Sequence, residues 1–299
     1  MTFDGSVLEM LGTLTAGGTL VIPEGRENVV ADAFVRSHAI SHWFAVPSAI
    51  RTAQRLGALA EGAMPSLRWS LFCGEPITFQ ECSAWARSAS HSAVVNVYGP
   101  TETTVTIASY VVPREASERA FVPLGTFDPG VEVRLDDDTS ELLVRGPQRC
   151  LGYHHRAMNE VAFVDDCGVG PGDVPRVPPS FWYRTGDRVE VDGGHYVYRG
   201  RLDRQVKIDG RRVEPGEVEA AIIRSPAVDA AIVLDVTVAG RTRLVAAYEG
   251  RQGEEKTLLA ALRQTLPTHM IPDRCVRFQK LPVNNNGKID ASAVRRLIG

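Results

Sequence analysis

VYGPTETT at residues 97–104 continues the apolar run AVVNV at 93–97, so a buried strand enters a tight Gly-Pro turn. The turn brings Tyr98, Thr101 and Glu102 together at the carboxyl end of the strand, the usual ligand position in open α/β sheets. A carboxylate there can hold Mg²⁺, which prefers hard oxygen ligands and nucleotide phosphates. The stretch therefore predicts a ligand-binding sheet edge, and an ordinary strand corner with a solvated glutamate is the alternative.

Upstream of this turn, apolar runs of strand length alternate with helical segments. The predicted helices cover 6–14, 27–37, 47–58 and 78–89, and the predicted strands are TLVI (19–22), HWFAV (42–46) and WSLFC (69–73). Strands that alternate with helices of this length favour right-handed crossovers in a mostly parallel sheet.

Downstream of Thr101 the pattern changes to short strands, with a hairpin turn at Asp192-Gly193-Gly194 and a Gly- and Pro-rich loop at 165–180. Helices over 214–224, 254–265 and 290–298 and strands over 230–236 and 243–249 then predict a last α+β unit. The predicted fold class is α/β, with a partial doubly wound αβαβα domain, a small β subdomain and a compact α+β C-terminal domain. The predicted boundaries are 1–112, 113–200 and 201–299.

Composition excludes several classes of protein. The chain has 299 residues, 44% of them hydrophobic, and its net charge of -3 is spread without a basic stripe, which argues against a nucleic-acid partner. No apolar run approaches the ~20 residues that cross a bilayer, and the N-terminus has no signal-like core, so we predict no membrane partner and a cytoplasmic location. Five cysteines without a CxxC pair argue against a disulfide framework or a zinc site.

Three further motifs follow the first in order: YRTGD at 183–187, GRLDRQVKIDGRRVEPGEVE at 200–219 and NNNGKID at 284–290. The series resembles the adenylation domains of non-ribosomal peptide synthetases, in the superfamily shared with acyl-CoA synthetases and luciferase. The resemblance implies that an amino acid and Mg-ATP form an aminoacyl-AMP, which is then passed to the phosphopantetheine of a carrier protein in trans. The family's Gly/Ser/Thr-rich phosphate loop is not recognisable, so we expect the C-terminal share of such an enzyme, poorly active alone. Either another polypeptide supplies the N-terminal part, or the chain derives from an incomplete reading frame.

The resemblance also implies roles for single residues. Glu102 is the expected Mg²⁺ ligand, Thr101 an α-phosphate contact and Lys288 the cation that holds the substrate carboxylate and neutralises charge at the α-phosphate. The expected nucleotide contacts are Tyr98 and Gly74 at the adenine, Asp187 at the ribose hydroxyls and Arg201. Asp203 matches the hinge of the C-terminal domain, and Asp209 stands where the family usually has an arginine beside the pantetheine tunnel.

Substrate specificity is also suggested by the resemblance. Asp4 in FDGSV matches the aspartate that pairs with the substrate ammonium group, so Asp4 and Lys288 would hold both ends of an amino acid. The expected pocket wall is Gly5, Leu8, Phe44, Leu71, Cys73, Val97, Val105 and Thr106. This wall is small and almost entirely apolar, which favours an isoleucine-, valine- or leucine-like substrate, although core packing is an equal alternative for Phe44, Leu71 and Cys73. An acyl-CoA ligase and a non-catalytic remnant that binds AMP or a carrier protein are the competing functions.

Overall fold

The structure, a computed structural model, describes residues 4–25, 27–115, 117, 119–225, 227–238, 241–251, 255–284 and 289–298. By its contacts the chain separates into two units, Met1–Asp203 and Arg204–Gly299. The finer division into three parts, with boundaries at 112 and 200, stays a prediction. Among the described residues, no helix is both long and apolar enough to cross a membrane.

The first unit begins with a five-stranded sheet and the helices that connect its strands. The sheet has the order β1 to β5, in which β1, β2 and β3 are parallel and β4 and β5 are antiparallel. The elements are α1 (Gly5–Thr15), α2 (Ala31–His38), β1 (His42–Ala45), α3 (Ser48–Arg55), β2 (Trp69–Cys73), α4 (Phe79–Ser88), β3 (Ala93–Tyr98), β4 (Ala108–Val111) and β5 (Thr126–Phe127).

One face of this sheet carries the largest core of the first unit. Trp85 on α4 is fully buried against Phe72 on β2, and its indole N–H donates to Ser70 Oγ at 2.8 Å. A capping box begins α4, because Thr78 accepts the backbone N–H of Glu81 while the Glu81 carboxylate accepts that of Thr78. The helix therefore starts at a fixed residue and directs its apolar stripe onto the sheet.

A second, antiparallel sheet completes the first unit. It has the strand order β10-β9-β7-β6, with β8 paired to β9. The elements are β6 (Glu132–Leu135), β7 (Glu141–Arg145), α5 (Asn159–Ala162), β8 (Phe163–Val164), β9 (Trp182–Asp192) and β10 (His195–Arg201). Gly193 and Gly194, with φ of 55° and 79°, form the two-residue turn between β9 and β10, as the sequence predicts.

The second unit packs helices on both faces of a three-stranded sheet, β13-β14-β15. Its elements are β11 (Val206–Ile208), β12 (Arg211–Val213), α6 (Pro215–Ile223), β13 (Val228–Val238), β14 (Arg241–Gly250), α7 (Glu255–Thr265), β15 (Arg274–Phe278) and α8 (Ala291–Ile298). Alternate residues of β13 face opposite cores: Val233 joins α6 and α7, whereas Leu234 joins α8. The predicted α/β class is confirmed.

One strand that the sequence predicts is not formed. The predicted strand at 19–22 is wrong, since these residues have no regular secondary structure and Ile22 is 75% exposed. An apolar run becomes a strand only where a neighbouring strand takes up its backbone hydrogen bonds.

Asp209 and Gly210, with φ of 47° and 76°, form the two-residue turn between β11 and β12, and aspartate is among the residues that tolerate this left-handed geometry.

Candidate active site

Asp187 lies at the centre of a hydrogen-bonded group in the first unit. Its side chain is buried, its Oδ2 accepts the Tyr98 hydroxyl at 2.7 Å, and its Oδ1 accepts Arg201 Nη1 at 2.6 Å. Tyr98 ends β3, and Asp187 and Arg201 face each other across β9 and β10, so two sheets build the group. A carboxylate has about four acceptor positions, which leaves this one able to accept further hydroxyl groups.

The Tyr98 hydroxyl is a donor over the whole physiological pH range. Burial, and then the negative charge of Asp187, raise the pKa of Tyr98 well above its ordinary value. The phenol therefore keeps its proton and holds the Asp187 carboxylate in one orientation.

Arg201 links Asp187 to the end of the first unit. It donates to Asp203 through Nε at 2.8 Å and Nη2 at 2.7 Å, and to the Thr185 carbonyl at 3.0 Å. Burial alone would lower the pKa of Arg201, but hydrogen bonds and charges from Asp203 and Asp187 offset this and raise it. The division between the two units falls directly after Asp203.

Glu102 occupies the turn that follows β3. It lies in a short 3-10 turn, Thr101–Thr103, is only 8% exposed, and its Oε1 accepts the Tyr153 hydroxyl at 2.5 Å. The backbone carbonyl of Glu102 accepts the N–H of Cys150 at 2.7 Å. Glu102 is thus held from both its backbone and its side chain.

The chain after Glu102 is strained and tightly packed. Thr104 and Val105 have φ of 63° and 71°, a left-handed geometry that is a true outlier for a β-branched residue. Gly99 allows the close return of this segment, since a Cβ there would lie 2.6 Å from the Val105 carbonyl oxygen. The predicted wall residues Val105 and Thr106 are held in place by this backbone geometry.

Asp4 lies beside the same turn. Its Oδ2 accepts the Thr101 hydroxyl at 2.7 Å, and its Oδ1 accepts the N–H of Gly5 as the N-cap of α1. Two residues that the sequence assigns to substrate and phosphate are therefore in direct contact, although they are 97 positions apart.

An apolar cluster covers the second face of the parallel strands. Phe44, Leu71 and Val95 pair in register across β1, β2 and β3, and Cys73 and Val97 pair one step further along. These five side chains pack together apart from the main core. Four of the predicted wall residues are thus brought together. Leu8, on α1, is not among the residues of this cluster and is 37% exposed.

Two segments of the chain match models of known protein families. Residues 1–154 match the family model described as AMP-binding enzyme, and residues 217–288 match the AMP-binding enzyme C-terminal domain. The chain belongs to the AMP-binding enzymes. This places it in the adenylate-forming superfamily that the sequence motifs indicate.

The most similar relatives of this AMP-binding enzyme include two L-proline–(L-prolyl-carrier protein) ligases. The protein from Streptomyces coelicolor is 34% identical, over 96% of this chain and 55% of its own length. The protein from Pseudomonas fluorescens is 32% identical, over 99% of this chain and 59% of its own length. The chain therefore spans a little over half the length of these relatives.

A solved structure has the same fold over the whole chain. The Vibrio cholerae adenylation domain AlmE, in complex with glycyl-adenosine-5'-phosphate, matches with a TM-score of 0.84 and 26% identity. The match covers 100% of this chain and 57% of AlmE.

The donor set around Glu102 fits a magnesium ion that arrives with a nucleotide. Among the described residues there is no group of three or more His, Cys, Asp or Glu side chains that could hold a metal ion without help. Mg²⁺ in nucleotide enzymes commonly takes one or two carboxylates, with phosphate oxygens and waters as its other ligands. A single fixed carboxylate, Glu102, is the ligand that such an ion needs from the protein.

The remaining predicted residues of the AMP-binding enzyme lie away from Asp187 and Glu102 in sequence. Gly74 follows β2 with φ of 92°, a backbone geometry that favours glycine. The adjacent Glu75 accepts the backbone N–H and hydroxyl of Ser48 and pairs with Arg51 at 2.7 Å, so it holds α3 in place. Lys288 lies outside the described residues.

The sequence motifs did not single out three residues that contact the site. Tyr153 bonds Glu102, Val95 completes the apolar cluster, and Glu141 bonds the backbone of the YRTGD segment. The tyrosine of LGYHHR and the glutamate that begins ELLVRG are visible signals, but their partners lie 51 and 45 residues away.

Proposed function

We propose that this AMP-binding enzyme catalyses amino-acid adenylation followed by thioester formation on a carrier protein. The amino-acid carboxylate attacks the α-phosphorus of ATP, the bond to the β-phosphate breaks, and aminoacyl-AMP and pyrophosphate result. The phosphopantetheine thiol of a carrier protein in trans then takes the aminoacyl group, which releases AMP. The observation that carries the proposal is the Asp187 carboxylate, fixed between Tyr98 and Arg201 next to the turn that presents Glu102.

Each polar residue has a distinct task in the adenylation step. Asp187 accepts the ribose hydroxyls, while Tyr98 and Arg201 keep its two oxygens in position. Thr101 contacts the α-phosphate, and Glu102 would hold Mg²⁺, which when bound supplies positive charge to the phosphate oxygens. Catalysis then depends on positioning and on charge stabilisation, with Lys288 assigned from its motif alone.

The surroundings of Asp4 support an amino acid as substrate. Its carboxylate lies beside Thr101 and can pair with the α-ammonium group of the substrate. The uncharged cluster of Phe44, Leu71, Cys73 and Val97 suits an aliphatic side chain. The relatives named above are ligases for L-proline, and others are named for D-alanine, both small apolar amino acids.

Asp203 is proposed as the hinge between the two steps. The two units separate directly after it, and hinges are positions in loops or at element ends that absorb large backbone changes. Its partner Arg201 donates two hydrogen bonds to it, so rotation would have to exchange these bonds for others.

Amino-acid-dependent ATP–pyrophosphate exchange tests the proposal, together with calorimetric binding of non-hydrolysable isoleucyl-, valyl- and leucyl-adenylate analogues. We expect analogue binding that D187N weakens about tenfold or more, since hydrogen bonds to a charged group contribute ~1.5–3 kcal/mol each. D4N should remove binding that depends on the ammonium group, whereas D32N, which changes a half-buried carboxylate on α2 that pairs with Arg36, should have no effect on binding.

The outcomes separate the competing functions. Equal exchange with isoleucine and with 3-methylpentanoate, which lacks the amine, would contradict the amino-acid assignment and favour an acyl-CoA ligase. Binding of the analogue without exchange, even after a polypeptide that supplies the N-terminal part of such an enzyme is added, would instead indicate a non-catalytic AMP-binding remnant.

A further inference from the structure

Glu141, the first residue of β7, is a buried carboxylate that accepts three hydrogen bonds through its two oxygens. It is 2% exposed, its Oε2 accepts Arg184 Nε at 2.9 Å and Nη2 at 2.7 Å, and its Oε1 accepts the backbone N–H of Gly186 at 2.8 Å. A carboxylate is costly to bury unless it is paired and hydrogen-bonded. The three bonds show that this position is built to hold a carboxylate.

The partner of Glu141 is a bulge in the neighbouring strand. The register pairs Glu141 with Arg188 and Leu143 with Arg184, so β9 has more residues than β7 over this interval. Residues 185–187 therefore leave the ladder with β7, although Asp187 stays paired with Arg201 of β10, and such a bulge disrupts the hydrogen bonds between the two strands that it interrupts. This segment contains the aspartate that is central to the candidate site.

Three polar backbone groups at the centre of the bulge have hydrogen-bond partners. The Gly186 carbonyl accepts the N–H of Leu202 at 2.8 Å, and the N–H of Asp187 donates to the Thr185 hydroxyl at 3.0 Å. The N–H of Gly186, whose φ is 72°, donates to the Glu141 carboxylate. Glu141 thus replaces the acceptor that a regular strand partner would provide.

We propose that Glu141 is a positioning residue for nucleotide recognition: by fixing the Gly186 amide it aims the Asp187 carboxylate at the ribose hydroxyls. This inference rests on the proposed function, because it needs a nucleotide in the site. Both Glu141 oxygens are occupied by donors from Arg184 and Gly186, so its effect on the ligand would pass through the Gly186 backbone to Asp187.

The test compares two conservative variants, one of which changes the charge of the side chain and the other its length. E141Q keeps the length of the side chain and an oxygen that can accept the Gly186 N–H, whereas E141D keeps the charge but is shorter by about 1.5 Å. D136A is the matched control: Asp136 accepts the backbone N–H groups of Asp138 and Thr139 in the turn before β7, and its charge also acts on Arg184, but none of its hydrogen bonds goes to residues 185–187.

The readout is the ratio of calorimetric affinities for AMP and 2′,3′-dideoxy-AMP on the whole chain, with thermal unfolding measured in parallel. We expect the unchanged chain and D136A to prefer AMP by at least tenfold, because two hydroxyls bond a charged acceptor. E141Q should keep this preference within about threefold, whereas E141D should reduce it to near one. D187N should abolish it, and E141D combined with D187N should lose no more than D187N alone.

Two results would overturn the inference in different ways. If E141D keeps the ribose preference while its thermal stability falls as much as that of D136A or more, Glu141 is merely structural and the proposed function stands. If the unchanged chain shows no preference for AMP, the ribose role of Asp187 is wrong, and the proposal for Glu141 fails with it.

Discussion

Replacing Tyr98 with phenylalanine removes a single oxygen atom from the candidate site. In the structure the Tyr98 hydroxyl donates to the buried Asp187 carboxylate at 2.7 Å. A hydrogen bond to a charged group contributes ~1.5–3 kcal/mol, and the variant leaves the carboxylate short of one donor in a buried setting. We expect Y98F to lower the free energy of unfolding of the first unit by ~1.5–3 kcal/mol near pH 7.

The pH dependence of this loss follows from the raised pKa of Tyr98. Burial, and then the charge of Asp187, hold the phenolic proton in the folded protein, while the unfolded chain releases it near pH 10. The contribution of Tyr98 is therefore fully present below pH 10 and is lost as the pH rises from there toward the folded pKa. The difference between the unchanged chain and Y98F should narrow by about 1.4 kcal/mol between pH 8 and pH 11.

Urea unfolding monitored by tryptophan fluorescence measures this difference directly. All four tryptophans, Trp43, Trp69, Trp85 and Trp182, lie in the first unit, so the signal reports on the unit that contains Tyr98. Other alkaline groups, such as the Cys82 thiol, whose pKa burial raises to about 12, are common to both proteins and cancel in the difference.

The control variant is Y110F. Tyr110 lies on β4 of the same unit, where its ring contacts His195, and its hydroxyl is not part of the Asp187 group. We expect Y110F to change stability by less than about 0.5 kcal/mol. Y98F with the same stability as Y110F at pH 7 would show that the Tyr98–Asp187 hydrogen bond contributes nothing. An equal difference between Y98F and the unchanged chain at pH 8 and at pH 11 would show that the pKa of Tyr98 is not raised.

Three further substitutions, one of them with a control in the same helix, test local features of the first unit by the same unfolding assay. Y153F should cost ~1.5–3 kcal/mol, because the Tyr153 hydroxyl donates to buried Glu102, and a loss below 0.5 kcal/mol would show that this bond is not formed. A39G should stabilise by ~0.5–1 kcal/mol because Ala39 ends α2 with φ of 50°, whereas A33G, within the same helix, should destabilise by a similar amount; equal effects would contradict this geometry. T78A should cost ~1 kcal/mol by removing the cap of α4, and an unchanged midpoint would show that the capping box contributes nothing.

Local patterns predicted much of the fold because the interactions that form these elements join residues close together in the sequence. The strand WSLFC was predicted at the residues that form β2, and the helix predicted at 78–89 is α4 with its cap at Thr78. The predicted strand at 19–22 failed because strand formation depends on a partner elsewhere in the chain, which an apolar run does not specify.

The site could be predicted only in part for a related reason. Motif resemblance named Tyr98 and Asp187 separately, but their hydrogen bond joins residues 89 positions apart. Glu141 is visible as a carboxylate at the start of a strand, but a strand end is usually exposed, so its local sequence does not show that it is buried. Contacts made by the register of two strands are determined by topology, which residue periodicity does not encode.

The distribution of buried charge gives an independent reason to place function in this region. Among the described residues, the buried charged side chains are Glu102, Glu141, Arg149 and Asp187, all in the first unit. Arg149 bonds only backbone carbonyls, including that of Cys150, whose N–H bonds the turn of Glu102, and burial lowers its pKa. Apolar residues of similar volume would often give an equally stable core, so buried charges concentrated around one turn and one bulge indicate a ligand rather than a need for stability. Replacing Arg149 by methionine should therefore reduce the free energy of nucleotide binding more than the free energy of unfolding. A larger loss of unfolding free energy than of binding free energy would show that these charges serve the fold alone.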